Sequence, residues 1–172
     1  MSLLNLKIDK YFDLLLDEAA LDLNMILNQQ TKEYLISLLV SGSNLLELDK
    51  SMFEFYESAV NSLSKEEQYL NYKRMGENAL LKISLFPENI NKLVGETYYR
   101  DMGIMGYQQA YSFSRNILFS QIGERFEDYI DIMGSVRCSN LSDCYQYYQI
   151  SNRKIAKIRL FKMGMNYKDL NE

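Results

Sequence analysis

The chain contains no histidine. That absence removes Ser-His-Asp and Cys-His nucleophile systems, HExxH zinc sites and Glu-x-x-His di-iron sites. It also removes the side chain that most readily moves a proton near neutral pH. Acid–base work would fall to carboxylates, Lys, Tyr or Cys. Carboxylates stand close in sequence at Glu96 and Asp101, and at Glu127 and Asp131. A working acid needs a pKa displaced by burial or by a neighbour, and helices carry such pairs on solvated faces routinely. Cys138 and Cys144 are the two cysteines; they are too few for a metal framework or a disulfide scaffold and read as reduced thiols. No catalytic residue, metal ligand or cofactor is therefore expected, and the reading leans away from an enzyme.

Binding chemistry has two candidate places. The first is the segment over residues 98–111, where Tyr98, Tyr99 and Tyr107 surround Gly103 and Gly106. On a helix, Gly103, Gly106 and Ala110 form a stripe of small residues. Each helical glycine costs about 1 kcal/mol against alanine, so a close helix crossing, or a ligand approaching the backbone, must compensate. Arg74 and Glu77, three apart on a neighbouring helix, form an ion pair or, alternatively, clamp an anionic ligand beside those tyrosines. A Tyr-lined small-molecule pocket formed by Arg74, Glu77, Tyr98, Tyr99 and Tyr107 is one functional expectation.

The second place is the basic C-terminal helix, with Arg153, Lys154, Lys157, Arg159 and Lys162, and Lys168 beyond it. Arg153, Lys154, Lys157 and Lys162 are the candidates for nucleic-acid contact, preceded by Tyr145, Tyr147 and Tyr148 in a loose helix-turn-helix outline. The net charge of −4 counts against phosphate binding. Asp9, Asp13, Asp17, Glu18 and Asp22 make the N-terminal part acidic, so the basic face balances acidic helices within the fold or across a symmetric dimer.

The elements that position these groups are helices. One proline and eight glycines in 172 residues leave too few turn residues for an all-β fold. Apolar residues recur every three or four positions from Ile8 to Ile26. Thr31 is expected to cap a second, largely apolar helix, central in the core. A short helix over residues 49–63 follows, with Met52, Phe53, Phe55, Tyr56, Ala59, Val60 and Leu63 on its apolar side. Ser64 with Glu67 forms a capping box for a helix that Pro87 ends. An amphipathic helix is expected over residues 121–136, a Tyr-rich one over 141–150, and a last one capped by Ser151 or Asn152 and stopped by Gly164. The expectation is an all-α, single-domain bundle of about seven helices spanning residues 1–172, with 1–5 a loose terminus or partly an expression scar. Asp9, Asp13 and Asp17 interrupt any signal peptide. The longest uncharged run, residues 34–46, is too short to span a bilayer.

Three stretches carry a resemblance: Arg74-Met75-Gly76-Glu77-Asn78-Ala79-Leu80, Leu85-Phe86-Pro87-Glu88, and Tyr98-Tyr99-x-x-Met102-Gly103-x-x-Gly106-Tyr107. They resemble a family of uncharacterised bacterial helical proteins with an LGD-x-x-L segment, a Phe-Pro-Glu turn and a YYxxMGxxAY stretch. The chain departs from that pattern at Glu77, where the family has Asp, and at Gly106, where it has Ala. The resemblance implies one helical domain and a bacterial origin; it carries no activity or ligand. Together these readings favour a non-catalytic cytoplasmic interaction or scaffold protein that pairs with itself as a homodimer.

Overall fold

A computed structural model describes residues 3–45, 50–90, 93–166 and 170. Among them the chain forms nine α-helices and no strand: α1 (Leu3–Asp22), α2 (Gln29–Leu45), α3 (Met52–Val60), α4 (Lys65–Leu85), α5 (Gly95–Ser114), α6 (Ile117–Glu124), α7 (Phe126–Gly134), α8 (Leu141–Ser151) and α9 (Lys154–Lys162). Short 3-10 turns occupy Pro87–Asn89 and Ser135–Arg137. The all-α expectation is met, but with nine helices rather than about seven. In place of a single bundle there are two compact units: Met1–Ile36 with Asp131–Glu172, and Ser37–Ile130. The chain is helical from Leu3, so the loose terminus expected over residues 1–5 is not seen from residue 3 onward. Residues 1, 2, 46–49, 91, 92, 167–169, 171 and 172 lie outside the described residues, and with them the expected start of the third helix and Lys168.

Several helix ends follow from local chemistry. The Ser64 hydroxyl accepts the Glu67 N–H at 3.1 Å, and the Glu67 carboxylate accepts the Leu63 N–H at 3.2 Å; α4 starts there and stops before Pro87. Ser51 and Glu54 form a second, reciprocal capping box at α3. Gly164, at φ +98°, closes α9: its N–H bonds the Phe161 carbonyl and the Met165 N–H reaches that of Leu160. Other ends differ from expectation. Asn28, not Thr31, caps α2, its side chain accepting the Thr31 N–H at 2.9 Å. Arg153 occupies the N-cap position of α9, and Asn152 ends α8 in a left-handed conformation at φ 50°.

The helix expected over residues 121–136 is two helices broken at Arg125, whose φ −116° and ψ 32° leave the helical region. The break places Phe126 in the core of the second unit, its ring 6.1 Å from that of Tyr107. Buried there with it are Phe55, Met75, Ala79, Leu80, Phe119 and Ile122. The first unit is built from α1, the start of α2, the end of α7, α8 and α9. Leu16, Ala19, Leu35, Tyr147, Ile155 and Leu160 are buried in it. Helix α2 buries Leu35 and Leu38 and exposes Val40, so its burial is one-sided where an all-round apolar surface was expected to be central.

Candidate functional site

In the second unit, α4 and α5 cross at Gly76 and Gly106. A Cβ placed on Gly106 would stand 2.6 Å from the Gly76 nitrogen and 2.7 Å from the Tyr72 carbonyl oxygen. A Cβ on Gly76 would meet the Tyr107 ring at 2.9 Å, and one on Gly103 would meet Phe126 at 2.4 Å. The small-residue stripe therefore serves backbone-to-backbone packing, and the two helices fill the space at the crossing themselves. Tyr107 is fully buried, and its ring lies against Phe119 and Phe126. Tyr99 is buried and Tyr98 half-buried, with the two rings edge to face at 5.8 Å. Burial, and then Tyr99, raise the Tyr98 hydroxyl above its ordinary pKa. Glu77 is buried and pairs with Lys73 at 3.1 Å one turn back, while Arg74 is exposed. Tyr99 and Tyr107 thus share α5's buried side, and Arg74 stands apart from them.

The paired carboxylates of the sequence are engaged as well. Glu96 and Glu127 both hold the Arg100 guanidinium. Asp131 is buried and accepts the Ile155 N–H at 3.4 Å. Asp101 is exposed.

In the first unit the basic helix turns inward. Ile155, Ala156, Arg159 and Leu160 are the buried residues of α9. Of the four nucleic-acid candidates, Arg153 is buried, Lys157 half-buried and Lys154 exposed. Lys162 is exposed but bonded to Asp22. They do not form one solvent-facing stripe. Arg159 donates to Asp22 at 3.3 Å and to the Ser135 carbonyl at 3.1 Å. Glu18 stands 3.6 Å from its other terminal nitrogen. The acidic and basic helices neutralise one another inside this unit.

Asp13 and Asp17 have a similar fate. Both hold the nearly buried Lys32 ammonium, at 2.8 and 3.1 Å. Chiefly through the bond to Asp13, opposed by burial, Lys32 titrates above its ordinary 10.5. A raised folded-state pKa stabilises the fold fully below the unfolded-state value and loses that contribution as pH climbs through the raised one. Unfolding free energy measured from pH 9 to 12 is expected to fall more steeply for the wild type than for Lys32→Met. At pH 7 the variant should be weaker by about 1 kcal/mol, with two half-exposed acids left facing each other.

A cleft of about 310 Å³ opens beside Arg159 in the same unit, lined by Tyr11, Leu15, Glu18, Cys138, Ser139, Lys162 and Met163. An open groove of about 260 Å³ in the second unit, lined by Lys65, Glu66, Tyr69, Phe113 and Ser114, contains none of the residues expected to bind.

A regular apolar surface lies on α3. Met52, Phe55 and Ala59 face the core of the second unit. Phe53, Tyr56 and Val60, at the same three-four spacing one residue along, are 59%, 36% and 48% exposed. Leu63, in the turn after α3, is 99% exposed, and Leu70 on α4 is half-exposed. No family model, curated protein or solved structure matches the chain. Sequence reasoning placed both stripes on one apolar side; the signal that separates them is the offset of one residue, about 100° around a helix, which is too wide for a nine-residue helix to bury against one neighbour.

Proposed function

We propose that this chain is a non-catalytic cytoplasmic interaction protein that pairs with a second copy of itself through the outer face of α3. The observation that carries this reading is the stripe of Phe53, Tyr56 and Val60, with the exposed Leu63 in the turn that follows. Scattered exposed apolar residues are ordinary, whereas a contiguous, regularly spaced row marks a contact surface. The exposed apolar residues of α1, Ile8, Tyr11, Leu14 and Leu21, form a second row, which the exposed Glu18 interrupts.

A second copy is the proposed occupant because the α3–α4 hairpin offers both signs of charge. Glu54 and Glu57 flank the stripe on α3, and Lys65 and Arg74 are exposed on α4. A two-fold axis sets the same patch against itself, so acids on one copy can face bases on the other. No helix among the described residues is long and apolar enough to cross a membrane, and both thiols are free; these fit the cytoplasmic setting. On the same footing we place the chain among the bacterial helical proteins that its residues 74–80, 85–88 and 98–107 resemble.

Phe53→Glu tests the surface. Its side chain is largely outside the core, so helicity and thermal midpoint should stay within the scatter of the wild type, while light scattering behind a sizing column should move from twice the chain mass to the chain mass. Leu21→Glu should leave the mass at twice the chain mass. A Phe53→Glu protein that remains a dimer would refute the assignment of this surface.

A further inference from the structure

The two cysteines, which no activity above uses, are neighbours in the first unit. Cys138 follows the Ser135–Arg137 turn, and Cys144 sits one turn into α8. The two sulfurs are close enough to interact, and the Cys144 thiol donates to the Ala156 carbonyl at 3.5 Å. Cys138 is also part of the wall of the 310 Å³ cleft, beside Arg159 and Lys162. Structural cysteines are inert when buried in apolar surroundings; reactive ones stand where a cation and a path to solvent meet. Cys138 meets the cleft beside Arg159, and the pair are the two thiols of the chain.

We propose that Cys138 and Cys144 form an oxidisable dithiol that a hydroperoxide entering through this cleft converts to an intramolecular disulfide. Once the pair has lost one proton, the two sulfurs share the one that remains, and the Arg159 charge favours the anion while burial opposes it. The Cys138 sulfur attacks the hydroperoxide oxygen, the O–O bond breaks, and the Cys138 proton passes to Cys144. The departing alkoxide or hydroxide takes a proton from water. Cys138 is then a sulfenic acid. The Cys144 sulfur displaces its hydroxyl, the S–S bond forms, and hydroxyl and proton leave as water. Overall, two thiols and one hydroperoxide give one disulfide, one alcohol (water, when the oxidant is hydrogen peroxide) and one water.

The test uses the full folded chain and hydrogen peroxide in slight excess. After quenching, thiols are counted in denaturant. Both are expected to disappear together, to return on reduction, and to leave a mass lower by one pair of hydrogens with no disulfide-linked second chain. In Cys144→Ser, Cys138 should stop at the sulfenic acid and be trapped by dimedone. Thiols that survive peroxide in the folded protein and oxidise only in denaturant would overturn the proposal without any variant, as would disulfide-linked pairs of chains in place of an internal bond.

Discussion

Gly106→Ala is expected to lower the stability of the second unit by about 3 kcal/mol, at the upper end of ordinary overpacking, and Gly106→Val to prevent its folding. The added Cβ would lie 2.6 Å from the Gly76 nitrogen and 2.7 Å from the Tyr72 carbonyl oxygen. Those are backbone atoms of α4, and no rotamer change moves them; the helices must separate along their length. The gain of about 1 kcal/mol from alanine's helix propensity is smaller than that cost. Gly123→Ala is the matched control. Its nearest atoms would be 3.5 Å away or farther, an ordinary contact, so that variant should be neutral or up to about 1 kcal/mol more stable. Urea unfolding followed by far-UV circular dichroism separates the two. Equal behaviour of the two variants would contradict the close crossing.

The second large effect is expected at Asp22. Its side chain is 1% exposed and that of Arg159 is 7% exposed, although α1 and α9 are far apart in the chain. Asp22→Ala leaves the Arg159 guanidinium buried with the Ser135 carbonyl and the solvent-exposed Glu18 carboxylate 3.6 Å away. Breaking a buried pair from one side costs about 3–5 kcal/mol, because a desolvated charge remains. Little of that comes from Lys162, which is 60% exposed and is screened by solvent. Asp22→Ala with Arg159→Met should be more stable than Asp22→Ala alone, since the stranded charge is gone. Denaturant midpoints of the two single variants and the double one make the cycle; a double variant whose loss equals the sum of the singles would show that the pair is not coupled.

What the sequence revealed and what it withheld divide by range. Ser64, Pro87 and Gly164 act through bonds and sterics within a few residues, so helix ends at those positions were readable. The Gly103–Gly106–Ala110 stripe was readable as a close crossing because glycine's cost inside a helix demands a reason. Gly123 stands two residues before the break at Arg125 but inside α6; the break belongs with the packing of Phe126 against Gly103 and Tyr107, residues about twenty positions away. Acidic α1 and basic α9 were visible as opposed charge, but not that Asp22 would meet Arg159 across 137 residues. Glu77 could pair with Arg74 three back or Lys73 four back, and spacing alone cannot choose; the structure pairs it with Lys73. The tyrosines expected to line a pocket were read as polar handles, whereas Tyr107 lies in a close-packed helix crossing where no room is left. The cleft of the first unit draws its lining from α1, the turn after α7 and α9, a convergence that exists only once the chain is folded.

Self-association is tested most directly by sedimentation velocity of the wild-type chain at neutral pH with a reducing agent present, over a hundredfold range of concentration reaching down to the nanomolar. The outer face of α3, turned on itself about a two-fold axis, predicts a species of twice the chain mass that dissociates to single chains only on dilution. A single-chain mass that does not change with concentration would contradict it.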